Sequence, residues 1–212
     1  MAQVIQRSLS EAVLDKTMNL FWEKGYFNTS IDDITVVTGL NRAALYKCYG
    51  GKDKLFLAML ERFRNNITNK VTIPLQTKIN GIEGIATFFT QFLELYDSAG
   101  LRSRGCFLIS TAVDIHAHNK EVDYFIKDFL DDMRAKFRNL LMHTKTEKLL
   151  NPKVDIDSSA DFLVGNLFGL MTLCRSSAPR QVFENHVCGI TTFLASLSTK
   201  AFIKRKESLS HK

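Results

Sequence analysis

Residues 29–49 read TSIDDITVVTGLNRAALYKCY. Thr29 or Ser30 can cap a helix, and Ser30 with Asp33 has the spacing of a capping box in which Asp replaces the more usual Glu. The helix so opened places Ile31, Ile34 and Val37 on one face. Gly39 can take the left-handed backbone that ends such a helix. Leu40 can plug the turn, and Asn41 can cap the next helix. That second helix is short, from Arg42 to about Tyr49. Leu45 and Tyr49, four apart, face inward, so Arg42, Ala43, Ala44, Tyr46 and Lys47 face outward. The pattern is a helix-turn-helix, and its second helix is placed to enter a DNA major groove.

Working outward, residues 1–8 read as a loose arm. Ser8 or Ser10 can cap a first helix, with Leu9, Val13, Thr17, Leu20 and Phe21 as its inner stripe and Trp22 beside it. Gly25 ends it, so three helices form one small domain. Upstream of the decisive stretch stands Gly25-Tyr26-Phe27-Asn28-Thr29-Ser30; downstream stand Tyr49-Gly50-Gly51-Lys52-Asp53-Lys54-Leu55-Phe56. This whole block, about residues 9 to 60, closely resembles the amino-terminal domain of the tetracycline-repressor (TetR) family of transcriptional regulators. Beyond it the resemblance rests on length, helical pattern and one short patch, Gly105-Cys106-Phe107-Leu108 through Ala112.

The resemblance and the chemistry assign roles along the second helix. Arg42 offers a guanidinium fork suited to guanine O6 and N7, and the small Ala43 and Ala44 allow close approach and contact with thymine methyls. Tyr46 and Lys47 suit phosphate, which sets register without reading sequence. Thr29 and Ser30 stand at a helix start, where hydroxyls and backbone N–H groups suit phosphate, and Lys52 adds a cation at the start of the next helix. Two positions depart from the family pattern. Cys48 stands where His is common, which weakens one phosphate contact. Thr38 stands where a small Ala is usual, and its hydroxyl can bond back to the Ile34 carbonyl.

The remainder reads as helices. One runs from Lys52 to about Val71, with Leu55, Phe56, Met59, Leu60 and Phe63 inside, and Pro74 stops it. From Ile82 to Tyr96 the apolar residues keep a helical period. A long helix runs from Glu121 to about His143. Asp157 or Ser158 caps a helix to about Arg175 that is apolar nearly all round, and Pro179 can start the last one. Gly165 and Gly169 would let another helix come close. The last helix carries two stripes, Phe183/Val187/Ile190/Leu194/Leu197 and Val182/His186/Phe193. One stripe can serve the chain's own core and the other needs a partner. The expected homodimer interface therefore lies in the last two helices, at Gly165, Gly169, Phe183, Val187, Ile190 and Leu194, as a four-helix bundle about a two-fold axis.

The expected fold is all-α: an amino-terminal helix-turn-helix DNA-binding domain (1–51) and a larger helical ligand-binding and dimerisation domain (52–212), about nine helices in all. The family resemblance implies an effector pocket in the larger part. Its aromatic residues suggest Phe89, Phe92, Tyr96 and Phe107, with Phe125, Phe129, Phe168 and Met171, as a lining for an apolar or aromatic molecule. Cys106, near a helix start and beside Arg102 and Arg104, offers an alternative input, a reactive thiolate that senses oxidants or electrophiles.

Composition agrees. The chain has 212 residues, 45% hydrophobic, with only three prolines and eleven glycines. Its net charge is +6, from 28 basic and 22 acidic residues, but residues 1–54 hold seven Lys/Arg and six Asp/Glu. A DNA surface must therefore come from the arrangement of charges rather than their sum. Much of the basic excess lies in a solvated tail, at Lys200, Lys204, Arg205, Lys206 and Lys212. No secretion signal or membrane span is visible, and the four cysteines have no zinc spacing, which suits a cytoplasmic chain with reduced thiols. His116 and His118 point to different helix faces, so no metal is expected. No catalytic constellation, cofactor motif or Gly-rich phosphate loop stands out. The reading is a DNA-binding regulator, with double-stranded operator DNA, a small effector and a second copy of itself as partners. An effector-independent DNA-binding dimer is the remaining alternative.

Overall fold

The computed structural model describes residues 10–76, 81–98, 102–114, 119–176 and 178–199. The arm before Ser10, the His116/His118 pair and the basic tail from Lys200 lie outside these residues. Nine helices stand among the described residues: α1 (Glu11–Lys24), α2 (Ile31–Thr38), α3 (Arg42–Tyr49), α4 (Lys52–Phe63), α5 (Gly81–Ser98), α6 (Phe107–Ala112), α7 (Lys120–Thr146), α8 (Ile156–Arg175) and α9 (Arg180–Ser196). No strand is found among them beyond an isolated bridge between Leu150 and Ser198. The expected all-α class is therefore correct. After Phe63 the chain does not stop but passes through a π turn, Arg64–Thr68, and a last α turn, Asn69–Val71. Pro74 then sits in a 3-10 turn, Ile73–Leu75.

The chain divides into two compact units, but not at residues 51 and 52. The first holds residues 1–68 and 107–126, the second 69–106 and 127–212. The reason is the apolar face of α4. Leu55, Phe56, Met59, Leu60 and Phe63 are all buried, and α4 packs on α1, α3 and α6. Phe56 meets Phe21 edge-on at 5.1 Å, and Phe63 meets Trp22 at 4.9 Å. Phe107 of α6 completes this cluster, edge-on to Phe56 at 5.6 Å and to Phe63 at 5.8 Å. Phe107 thus serves the packing of the first unit, which corrects its expected place in an effector pocket. On the surface Arg62 of α4 bonds Glu11 and Asp15 of α1, each at 2.7 Å.

In the second unit α5 and α8 pack on α9. Phe88, Phe89 and Phe137 are buried, with Phe89 and Phe137 stacked at 5.7 Å and inclined by 14°. The N–H of Ile82 donates to the hydroxyl of Thr144 at 2.9 Å, so the start of α5 is held by a buried side chain from α7. The N-cap of α8 is Asp155, which accepts from the Ser158 N–H at 3.1 Å, rather than Asp157 or Ser158. Asp157 instead pairs with Arg134 and Arg138 of α7, and Asp161 with Arg134. These ion pairs fix α8 on α7 at the rim, while Leu163, Leu167 and Leu170 are buried beneath.

Truncating Phe137 to Ala should cost about 3–5 kcal/mol, the usual loss for a fully buried aromatic ring with a stacked neighbour. Urea unfolding would read this as a lower midpoint. A shift below about 1 kcal/mol would contradict the packing.

Candidate nucleic-acid interface

The helix-turn-helix is built from its ends inward. Ser30 has extended backbone (φ −81°), and its Oγ accepts from the Asp33 N–H at 3.0 Å. The Asp33 carboxylate accepts in return from the Ser30 N–H at 2.9 Å, completing the expected capping box. Gly39 ends α2 at φ +68°, and its N–H donates to the Thr35 carbonyl at 2.9 Å. The Thr38 hydroxyl donates to the Ile34 carbonyl at 2.7 Å, as its position suggested, and accepts from the Leu40 N–H at 3.2 Å. Asn41 caps α3 through its Oδ1, 2.8 Å from the Ala44 nitrogen.

Burial then sets which way α3 faces. Leu45 is fully buried, Ala44 and Tyr49 are half-buried, and Arg42, Ala43, Tyr46 and Lys47 are exposed. The face proposed to read DNA is therefore open. Two candidates just before α2 behave differently. Thr29 is fully buried, and its hydroxyl donates to the Gly25 carbonyl at 2.7 Å. It closes the end of α1 and is not a surface contact, which corrects the expectation. Ser30 is exposed, but its hydroxyl donates to Asp33 at 2.7 Å while accepting from the Asp33 N–H, so both of its roles are taken by the cap.

The turn from α3 to α4 holds a cluster that no local spacing announced. Lys52 is half-buried, and its ammonium lies 4.2 Å from the centroid of the Tyr26 ring. The Tyr26 hydroxyl donates to the Asp53 carboxylate. Burial, then the bond to Asp53, pushes the Tyr26 phenol up to about 12, so it stays a neutral donor. Burial lowers the Lys52 pKa, and neighbouring Asp53 opposes the shift. Gly50 and Gly51 make the turn possible, at φ +76° and +112°. A Cβ on Gly50 would lie 2.8 Å from Cδ of Lys54, and one on Gly51 would lie 3.0 Å from the Tyr46 ring. The bare backbone thus lets a cation stem and an aromatic ring lie against it. Tyr26 stood in the motif block, but its partner is 27 positions away and no repeat links them.

Cys106 is half-buried just before α6. Gly105 beside it, at φ +63°, has no room for a side chain: a Cβ would meet the Met171 carbonyl at 2.6 Å and Cγ of Arg175 at 3.0 Å. The Ser103 N–H donates to the Cys174 carbonyl at 2.7 Å. Cys174 is buried, and that burial, then the nearby Cys106, pushes its thiol up to about 12. Cys174 beside Cys106, and Arg175 beside Gly105, are neighbours that the sequence left unmarked.

The other candidates divide. Phe89, Phe92, Phe129 and Met171 are buried, and Phe168 is half-buried. Phe125 is half-buried, its ring 5.5 Å from the Arg64 guanidinium. The Tyr96 side chain lies outside the described part of α5. Phe183, Val187, Ile190 and Leu194 are at most 2% exposed within the single chain. That stripe fills the chain's own core, which corrects its expected place at a dimer interface. A Cβ on Gly169 would meet the His186 ring at 3.2 Å, so Gly169 also serves packing within the chain. Facing outward are Gly165, Gly189, Phe162 and Val182, with the Phe162 ring 4.5 Å from that of Phe193 and tilted by 54°.

Residues 13–59 match the family described as bacterial regulatory proteins, tetR family, and residues 81–187 match the tetracyclin repressor-like C-terminal domain. The chain belongs to the TetR family. It is thus a transcriptional regulator of that family, as its resemblance implied. Among curated relatives it is 25% identical to the HTH-type transcriptional repressor ComR of Escherichia coli K12, over 79% of this chain and 80% of that one. It is 24% identical to the HTH-type transcriptional regulator YezE of Bacillus subtilis 168, over 82% and 90%. Of solved structures, a cysteine mutant of the TetR family regulator CifR complexed with 26-bp double-strand operator DNA has a TM-score of 0.77 at 20% identity, covering 88% of this chain and 97% of that one. A TetR regulator from Chloroflexus aurantiacus gives 0.76 at 22%, over 91% and 97%. No described helix is long and apolar enough to cross a membrane.

The capping box carries a pH dependence. Lys24, 2.8 Å away, and then the Ser30 hydrogen bonds hold the Asp33 carboxyl well below the usual carboxylate range. The unfolded chain therefore binds more protons here than the folded one. The stabilisation is present above the unfolded pKa of about 4 and is lost as pH falls below it towards the folded value. Asp33→Asn should be less stable than the parent at neutral pH, and the gap should close between about pH 5 and pH 2. Urea midpoints across that range read it; a gap that stays constant would remove Asp33 from this role.

Proposed function

We propose that the protein is a homodimeric, cytoplasmic transcriptional repressor without enzymatic activity, whose two α3 helices read operator half-sites about one helical turn (~34 Å) apart. The first unit, residues 1–68 and 107–126, is the reading part, and the second unit carries dimerisation and ligand response. The observation that carries this reading is the outward set Arg42, Ala43, Tyr46 and Lys47 on a helix whose opposite side is fixed by fully buried Leu45. Arg42 reads a base edge, Ala43 and Ala44 allow the approach, and Tyr46, Lys47 and Lys52 hold phosphates. The operator DNA in the CifR complex supports double-stranded DNA as the partner. Dimerisation uses the outward side of α8 and α9, at Phe162, Gly165, Val182, Gly189 and Phe193, where small residues allow close helix approach.

A small apolar or aromatic effector, bound in the second unit near Phe89, Phe92 and Met171, releases the operator. It does so to the extent that it prefers the conformation that does not bind DNA. Four buried residues of the expected lining in the second unit, and a phenylalanine-rich core there, support an apolar ligand.

The test begins with an operator selected from randomised duplexes. Arg42→Ala should weaken its binding by about 1–3 kcal/mol and relax preference at one position of each half-site. Lys52→Gln should weaken all duplexes alike and flatten the salt dependence. If the parent protein shows no sequence preference in the same mobility shifts, the operator reading fails.

A second reading uses Cys106 as the input. It is favoured by Arg175, a basic residue whose side-chain stem lies beside Gly105. Cys106 should then react with iodoacetamide faster than a model thiol at neutral pH, and its modification should lower operator affinity. Slower labelling, or labelled protein that binds as before, would remove this reading.

A further inference from the structure

We infer that the DNA surface extends beyond the helix-turn-helix, with Lys120 of α7 binding a backbone phosphate of the duplex; this rests on the DNA-binding reading above. The observation is an open cleft of about 540 Å³ within the first unit. One side is the α3–α4 turn, with Tyr46, Lys52 and Lys54; the other is the first turn of α7, with Asn119, Lys120 and Glu121. Tyr46 belongs both to this cleft and to the exposed face of α3. A duplex backbone held by Tyr46 therefore runs along the rim that carries Lys120.

The charges in the cleft favour a strand of phosphates over a small anion. Lys52, Lys54 and Lys120 face Asp53 and Glu121, so a free phosphate settling inside would meet two carboxylates. Asp53 is engaged by the Tyr26 hydroxyl. Lys54 and Lys120 are exposed, and neither forms an ion pair among the described residues. Along the middle of α7 the pattern is different: Lys127, Arg134, Lys136 and Arg138 are each paired with an aspartate. Lys120 is left as a point charge, the form that suits phosphate without reading bases.

Lys120 is also fixed in place. Asn119 caps α7, its Oδ1 accepting from the Val122 N–H at 3.0 Å, and the Asp123 N–H donates to its carbonyl at 3.1 Å. The lysine is thus the first residue of a 27-residue helix. A long side chain leaving a rigid anchor loses less on binding than one leaving a loose strand.

The experiment is a salt titration of operator binding by the full-length protein and its Lys120→Gln, Lys120→Arg and Lys153→Gln variants. Each phosphate neutralised contributes about 0.9 to the slope of log K against log salt, so a dimer losing two contacts should show a slope smaller by about 2. Lys120→Gln should show that change equally on operator and on unrelated duplex. Lys120→Arg should keep the parent slope, and so should Lys153→Gln, which removes an exposed cation from the second unit. A Lys120→Gln slope within half a unit of the parent overturns the inference while leaving the operator reading intact. Absence of sequence preference in the parent overturns the operator reading, and the slope on unrelated duplex then decides Lys120 by itself.

Discussion

Eight residues are too few for a helix to hold itself together in water, because nucleation costs more than two turns of hydrogen bonds return. Both α2 and α3 have that length. Their persistence depends on what is done with their ends. Ser30 and Asp33 satisfy donors at one end of α2, Gly39 closes the other, and Asn41 opens α3 two residues later. With the ends held, one inward residue per helix suffices to fix rotation: Ile34 and Leu45 are both fully buried. The outward direction of Arg42, Tyr46 and Lys47 follows from those few contacts. The rest of the first unit, with α1, α4 and Phe107 of α6, supplies the apolar surface that receives them.

The first unit also shows how a segment with almost no net charge can present a cationic face. Several of its carboxylates are occupied. Glu11 and Asp15 hold Arg62, and Asp33 holds Lys24 and caps α2. Arg42, Lys47 and Lys54 form no ion pair among the described residues. Surface ion pairs of this kind contribute little to stability. Their effect here is on the field, since a neutralised carboxylate no longer repels a phosphate within a Debye length.

Most of the reading head was legible in the sequence because its determinants are local. Caps, left-handed glycines and the buried Leu45 act over three or four residues, and those spacings can be read directly. Thr29 shows the limit of that method. A hydroxyl before a helix can cap forward or bond backward, and only the fold shows it bonded to the Gly25 carbonyl. The α9 stripes posed the same problem, since two apolar faces on one helix do not say which is inside. The packing chose Phe183, Val187, Ile190 and Leu194 for the chain's own core. Pairings between distant positions left no signal at all. Tyr26 with Asp53, Phe107 with Phe56, and Cys106 near Cys174 exist only once helices have met.

The Gly50–Gly51 turn has a consequence for how such a protein can change over generations. Its two residues are constrained by backbone angle and by the chains lying on them, and the caps at Ser30, Gly39 and Asn41 are constrained by hydrogen bonding. Arg42, Ala43 and Lys47 carry none of these duties. Mutation can therefore explore them at little cost to folding, and a duplicated copy could drift to a new target while its scaffold stands still. Heritable novelty is concentrated in a handful of codons because the structural work is done by their neighbours.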